Sequence, residues 1–415
     1  MGCGVSKQKD SGGPRRRLAT IGDVVVFLPG LRVPRSVDFS QALAGGLDKG
    51  VVERLLALRA RVVDMAMQES AAALKPKRKT AAQHGSSSST ANLLQALEDY
   101  LPALLGLVKE GSELRHRVQF VWANQEDNAE ETTMADVWYE VLSVLHLMAM
   151  VCMLQANSLL LARSYGDGYA PRVSEESRRA TVDVFLKASG YLDCAIRQVI
   201  PQIPSDLRRQ LPMDLAEGNL KAFSLQALGQ GVDMQLGLAI DSPKATLAVK
   251  RRLACEMVKY WHQVQESIPE LPVSDGWGRK HLLFVKWKYA EAKAAAYYFH
   301  GLILDEGGTE KSHGMAIAAL QTSEEFLKES KRTSEAFHAT PPTSRCPTPF
   351  GTAKYMLDKI PKDVSSKVRI NQDLYSQERV IGTPPPLPDF VLALKPDDYD
   401  LPPLDPLWNK EDGHQ

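Results

Sequence analysis

The signatures of catalysis and of bound metal are missing from this chain. It contains no HExxH helix and no GxSxG elbow, the spacings that would place a zinc site or a nucleophile. The five cysteines (Cys3, Cys152, Cys194, Cys255, Cys346) are scattered, with no CxxC and no short spacing to a histidine. Neither a zinc ribbon nor a disulfide framework is signalled. Gly307-Gly308-Thr309-Glu310-Lys311-Ser312 has the look of a phosphate loop, but Glu310 stands where glycine should precede the lysine, and no strand leads into it. Gly229-Gln230-Gly231 lies within a helical pattern, so it is no dinucleotide fingerprint. A net excess of either charge is also absent. Lys+Arg and Asp+Glu both number 50, which gives no global basicity for nucleic acid. The expectation is a non-enzymatic protein with no catalytic residue, cofactor, metal, nucleic-acid partner or small-molecule substrate.

No apolar segment at the start marks a secretory signal. The one long uncharged run, Val141 to Ala162, has the length of a membrane span. Ser143, His146, Gln155, Asn157 and Ser158 interrupt it, and each would need a partner in hydrocarbon. A helix apolar nearly all round is what the centre of a large helical domain requires, and that is how it is assigned.

What the amino-terminal stretch does contain is Met1-Gly2-Cys3-Gly4-Val5-Ser6, the pattern for N-myristoylation at Gly2. One myristoyl chain binds membrane reversibly, on the order of 10⁴ M⁻¹, so stable anchoring takes a second signal. Cys3 is placed to carry a palmitoyl group. Lys7, Lys9, Arg15, Arg16 and Arg17 would lie against anionic headgroups. The expected location is the cytosolic face of an endosomal or plasma membrane, with residues 1–20 as a flexible lipid anchor.

Along the rest of the chain, Asp23 to Pro29 predicts a short strand, and the pattern then turns helical. Long helices are expected from near Phe39 to Leu74, Ala91 to Lys109, Met134 to Tyr165, Glu175 to Ile200, Glu217 to Ile240, Lys244 to Ile268, Gly278 to Leu304 and Thr309 to Phe337, with a short one over Ala353 to Lys359. Residues 75–90, with a basic run and four serines, predict a low-complexity loop, and Asn124 to Thr133 a polar loop. The tail from 382 to 408, with Pro384-Pro385-Pro386-Leu387-Pro388, must be extended, and 409–415 is expected to be disordered. Helix pairs joined by short turns indicate an all-α solenoid.

Several stretches resemble, in order and spacing, the Bro-type domain of ALIX-, rhophilin- and BROX-like proteins. They are Leu97-Glu98-Asp99-Tyr100-Leu101, Val118-Gln119-Phe120-Val121-Trp122, Tyr139-Glu140 with Val144-Leu145, Ala290-Glu291-Ala292, Gly314 to Ile317 with Leu320, and Asn371 to Val380 around Tyr375. The resemblance covers nearly the whole chain as a single domain over 21–408. It implies a curved, banana-shaped α-helical solenoid with a tetratricopeptide-like core and a small β element near the start. It also implies an adaptor of endosomal, multivesicular-body sorting that receives the C-terminal amphipathic helix of a Snf-seven-type ESCRT-III subunit. The alternative the family offers is a lipid-anchored, rhophilin-like signalling scaffold that takes another peptide in the same groove. BROX-like members end in a prenylation motif, whereas this chain ends Glu411-Asp412-Gly413-His414-Gln415, so its lipid signal is expected at the other end.

By resemblance, Val249 and Leu253 match groove residues, Leu392 or Leu394 in the tail matches a third, and Leu236 or its neighbour Gln235 stands where an aromatic is usual. A helical wheel gives a physical check. Leu247, Ala254, Val258 and Trp261 form one stripe, and Val249 with Leu253 falls roughly 130° away from it. That leaves an apolar patch edged by Lys250 and Arg252, with Glu256 expected to project beside it and dilute the charge. Such a patch suits an amphipathic helix with some acidic flanking residues.

Overall fold

The computed structural model describes residues 20–28, 30–43, 45–74, 84–109, 113–124, 131–161, 173–268, 276–307, 310–374 and 383–409. The lipid-anchor candidates Gly2, Cys3, Lys7, Lys9, Arg15, Arg16 and Arg17 lie outside them, as do Tyr375 and most of the basic low-complexity segment.

Two small β elements, built from strands before and between the helices, clasp them. Strand β1 (Thr20–Asp23) pairs in parallel with β5 (Thr343–Arg345), and β2 (Arg32–Pro34) joins β3 (Phe120–Asn124) and β4 (Glu131–Met134) in an antiparallel sheet. The helices are α1 (Phe39–Ala42), α2 (Lys49–Leu74), α3 (His84–Leu105), α4 (Val137–Leu160), α5 (Glu175–Cys194), α6 (Ser205–Arg208), α7 (Glu217–Asp241), α8 (Leu247–Ser267), α9 (Gly276–Asp305), α10 (Glu310–Ala339) and α11 (Gly351–Leu374). From α2 onward each long helix packs chiefly on the next, with α11 returning to α7. This is the solenoid that the turn spacing predicts.

Four expectations are corrected. Residues 84–90 are not loop, because α3 begins at His84 and carries the serines in its first turns. The polar run before α4 contains β4, an edge strand whose alternating exposure leaves no apolar signal to read. The strand expected over Asp23 to Pro29 ends at Asp23, and Val24 to Phe27 go into the core. Helix α11 passes through Pro361 to Leu374, far beyond Lys359.

Helix α4 is the centre. Asp136 caps it, accepting from the Trp138 amide at 2.8 Å, and Arg115 holds the same carboxylate at 2.8 Å. The helix is apolar and long enough to cross a membrane, yet 89% of its most apolar window is buried in the fold. Around it the family-like motifs converge. Glu140, fully buried, accepts from the Trp122 indole at 2.6 Å and the Tyr100 hydroxyl at 3.2 Å and pairs with buried Arg59. At the preceding residue of α4, the Tyr139 hydroxyl accepts from Arg32 at 2.9 Å, and Arg32 also reaches Asp214 at 3.0 Å. Charges this deeply buried are tolerated only when paired and hydrogen-bonded. These residues hold the β elements to the helices.

Candidate functional site

The site is built on α8. Thr246 caps its N-terminus by accepting from the Val249 amide at 3.3 Å. Spacings of four, three and four residues then put Val249, Leu253, Glu256 and Tyr260 on one face. The other face, with Ala254 and Trp261, is buried against α7 and α9. Val249 is 46% exposed, an unusual position for a large aliphatic side chain, and Leu253 is half-buried. Lys250 and Arg252 edge the patch, as the wheel predicts, with Lys250 half-buried and Arg252 exposed.

Two residues assigned to the groove from sequence are elsewhere. Leu236 is fully buried, because α7 is covered by α5, α8 and α11, so it presents no surface to a partner; its neighbour Gln235 is half-buried. Glu256 does not dilute the surface charge either. It is 1% exposed, and its Oε1 accepts from the backbone amides of Ala393 and Leu394 at 2.7 and 2.9 Å.

That pair of bonds begins a strap. The extended tail crosses α8 with Phe390 against the Arg251 guanidinium and its carbonyl bonded to Lys259, which also pairs with Asp389. The Tyr260 hydroxyl donates to the Leu394 carbonyl, and Leu394 packs on Gly231 of α7. Leu392 and Leu394 are both half-buried against the core. Further on, Asp397 N bonds Leu186 O at 3.2 Å on α5, and Tyr399 meets Tyr191 edge-on at 4.6 Å. The strap ends on α3. There the Asp405 amide and the Trp408 indole satisfy the carbonyls of Pro102 and Ala103, at 3.1 and 3.0 Å. Those are carbonyls that a helix end leaves without intrahelical partners.

The structure therefore brings Val249 and Leu253 into line with the part of α8 that the strap occupies, and it places Leu394 on the adjoining helix. Sequence reasoning missed the clasp of Arg251, Glu256, Lys259 and Tyr260. Its signal was present, since the stripe begun by Val249 and Leu253 continues through Glu256 and Tyr260.

The model of the BRO1-like domain matches residues 61–378. The chain belongs to that family. Among solved structures, the BRO1 domain of ALIX in complex with CHMP4C aligns with a TM-score of 0.63 at 16% identity, covering 92% of this chain and 96% of the other. ALIX in complex with the SIVmac239 PYKEVTEDL late domain gives 0.61 at 16%, covering 91% of this chain and 51% of that one. A Bro1 domain solved as a basis for endosomal targeting gives 0.60 at 13%, covering 94% and 95%. At these identities the likeness shows the fold, the curved helical BRO1 architecture. No curated protein sequence matches the chain.

Proposed function

We propose that this BRO1-like domain is a non-enzymatic adaptor of endosomal sorting that receives the C-terminal amphipathic helix of a Snf-seven-type ESCRT-III subunit. The helix would lie on the face of α8 beside the strap. Gly2 myristate, Cys3 palmitate and the basic residues Lys7, Lys9, Arg15, Arg16 and Arg17 would hold the adaptor at the membrane. The observation that carries the reading is Val249: a 46% exposed aliphatic residue, edged by Lys250 and Arg252, on a helix whose other apolar stripe is spent on the core. An amphipathic helix uses that combination, apolar contact along its centre and acidic residues toward the bases. The ALIX domain, solved with CHMP4C, supports the partner class. Leu236 lies beneath the surface and supplies nothing to the groove, so Val249, Leu253 and the strap carry the contact.

The test is Val249→Asp combined with Leu253→Asp, titrated by calorimetry with a peptide of an ESCRT-III C-terminal helix. Two charges in the apolar contact lower affinity at least about a hundredfold, the scale of losing two anchor side chains, while the circular dichroism spectrum stays helical. Equal affinity of the double variant and the wild type would remove this face as the site.

A further inference from the structure

Behind α8, on the side away from the exposed stripe, the helices do not close completely. A cavity of about 380 Å³ opens between α7, α8, α9, α10 and α11 and is roofed by the segment that follows β5. Its walls are mostly apolar, with Met234, Met257, Trp261 and Met356 among them. The volume is within the range of small-ligand sites and well above that of a packing defect.

Its lining also carries Lys288, Glu291, Lys331, Glu335 and several hydroxyls, but the one polar atom of the lining that is buried and left unmet is an acceptor. Gln230 is 3% exposed, and its Nε2 donates to the Val25 carbonyl at 3.2 Å, which fixes the amide's orientation. Its Oε1 is buried with no hydrogen-bond partner, a state that costs free energy until a donor arrives. Three residues along α7, on the same face, Asp233 also lines the cavity. Lys288, the cation nearest it, is engaged with Glu291 at 2.7 Å, and that carboxylate also takes the Trp287 indole at 2.8 Å. Burial pushes the Asp233 carboxyl above its ordinary range, with the Lys288 charge and the Thr352 hydroxyl opposing only in part. An anionic ligand would meet Asp233 with like charge, and a neutral alcohol would satisfy Gln230 alone.

We propose that this cavity binds a small organic amine, its apolar body among Met257, Trp261 and Met356 and its ammonium donating to Gln230 Oε1 and to Asp233. The site is separate from the α8 groove and does not depend on it.

Two probes of equal apolar size test this on the full chain: dansylcadaverine, a primary amine, and 6-(dansylamino)hexanoate, a carboxylate. Binding is read by energy transfer from tryptophan, and occupancy by protection of Cys346. This thiol lines the cavity and is exposed, whereas Cys152, Cys194 and Cys255 are buried. The amine should bind at least about tenfold more tightly than the carboxylate, the worth of a charge-assisted hydrogen bond. It should also slow alkylation of Cys346 by iodoacetamide, measured by mass spectrometry. Gln230→Met, which removes Oε1, should raise the dissociation constant of the amine about tenfold and leave that of the carboxylate unchanged. Equal binding of the two probes, or undiminished labelling of Cys346 at saturating amine, overturns the proposal. Both readouts stand on the wild-type protein should Gln230→Met fail to fold.

Discussion

Both ring nitrogens of His146, at the middle of α4, are buried without a hydrogen-bond partner. Burial pushes its imidazole down to about 4, the Asp214 charge opposing only in part. His281, stacked between Phe27 and Phe223 at 5.0 and 4.7 Å, is pushed down to about 3 by the same desolvation. An unfolded histidine titrates near 6.5. Between that value and the depressed ones the unfolded chain therefore binds protons that the folded chain refuses. Stability is full above pH 6.5 and is lost as pH falls, by up to about 1.4 kcal/mol per unit for each histidine. Scanning calorimetry should show the melting temperature dropping between pH 6.5 and 5, before most carboxylates titrate. His146→Leu should make that slope shallower and cost little at pH 7, since it removes two unsatisfied nitrogens rather than a hydrogen bond. An unchanged slope in the variant would mean that His146 finds a partner in solution.

At the scale of elements the strap is extended, as its prolines require, and it runs along the helices. Before the single 3-10 turn at Pro406–Asn409 its contacts alternate along the extended backbone: Leu392 and Leu394 inward, Val391 83% exposed. Its track depends on close approach. The Asp397 carbonyl lies where a side chain on Gly190 would begin, and the Trp408 ring occupies the space a Cβ on Gly106 would need. The clasp at Glu256 is testable. Glu256→Ala leaves the amides of Ala393 and Leu394 without their acceptor, a loss of about 2 to 3 kcal/mol for two bonds to one carboxylate. Limited chymotrypsin digestion should then cut after Leu392 or Leu394, both half-buried while the strap is clasped, at least about tenfold faster, with the helical core intact. If cleavage there stays slow, the strap is held by its distal contacts on α5 and α3.

How much of this was legible follows from which interactions leave a local pattern. Helices α7 to α10 show in the sequence to within a few residues because their apolar period is local. The exposed Val249 shows because it breaks that period. Tyr100, Trp122 and Glu140 stand out as motif residues, but their meeting at Arg59 does not, since α2 reads only through its leucines. Leu236 was misplaced for a related reason: a helix covered on three sides carries no polar stripe to tell a buried leucine from a groove leucine. Strand β4 is made by backbone bonds to a distant partner, and backbone bonding has no residue code, whereas the prolines of the strap mark it as extended without naming the side chains that clasp it.

The helical solenoid of the whole molecule is strapped from α8 back to α3. With equal numbers of acidic and basic residues, the chain as a whole has no net charge to draw it to an anionic bilayer. Among the described residues the one helix apolar and long enough to span a membrane, α4, is occupied in the core. Under the proposed function, membrane residence therefore falls to Gly2 and Cys3. A lone myristoyl chain binds on the order of 10⁴ M⁻¹, and a second chain, at about 0.8 kcal/mol per buried methylene, makes release slow. The two substitutions should consequently differ in kind. Gly2→Ala removes the acyl acceptor and should move the protein from the membrane pellet to the soluble fraction. Cys3→Ser should leave a reversibly bound population that high salt strips, as the basic residues lose their hold on the headgroups. Fractionation in low and high salt reads both. Retention of Gly2→Ala in the pellet at high salt would show that lipidation of Gly2 is not what holds the protein there.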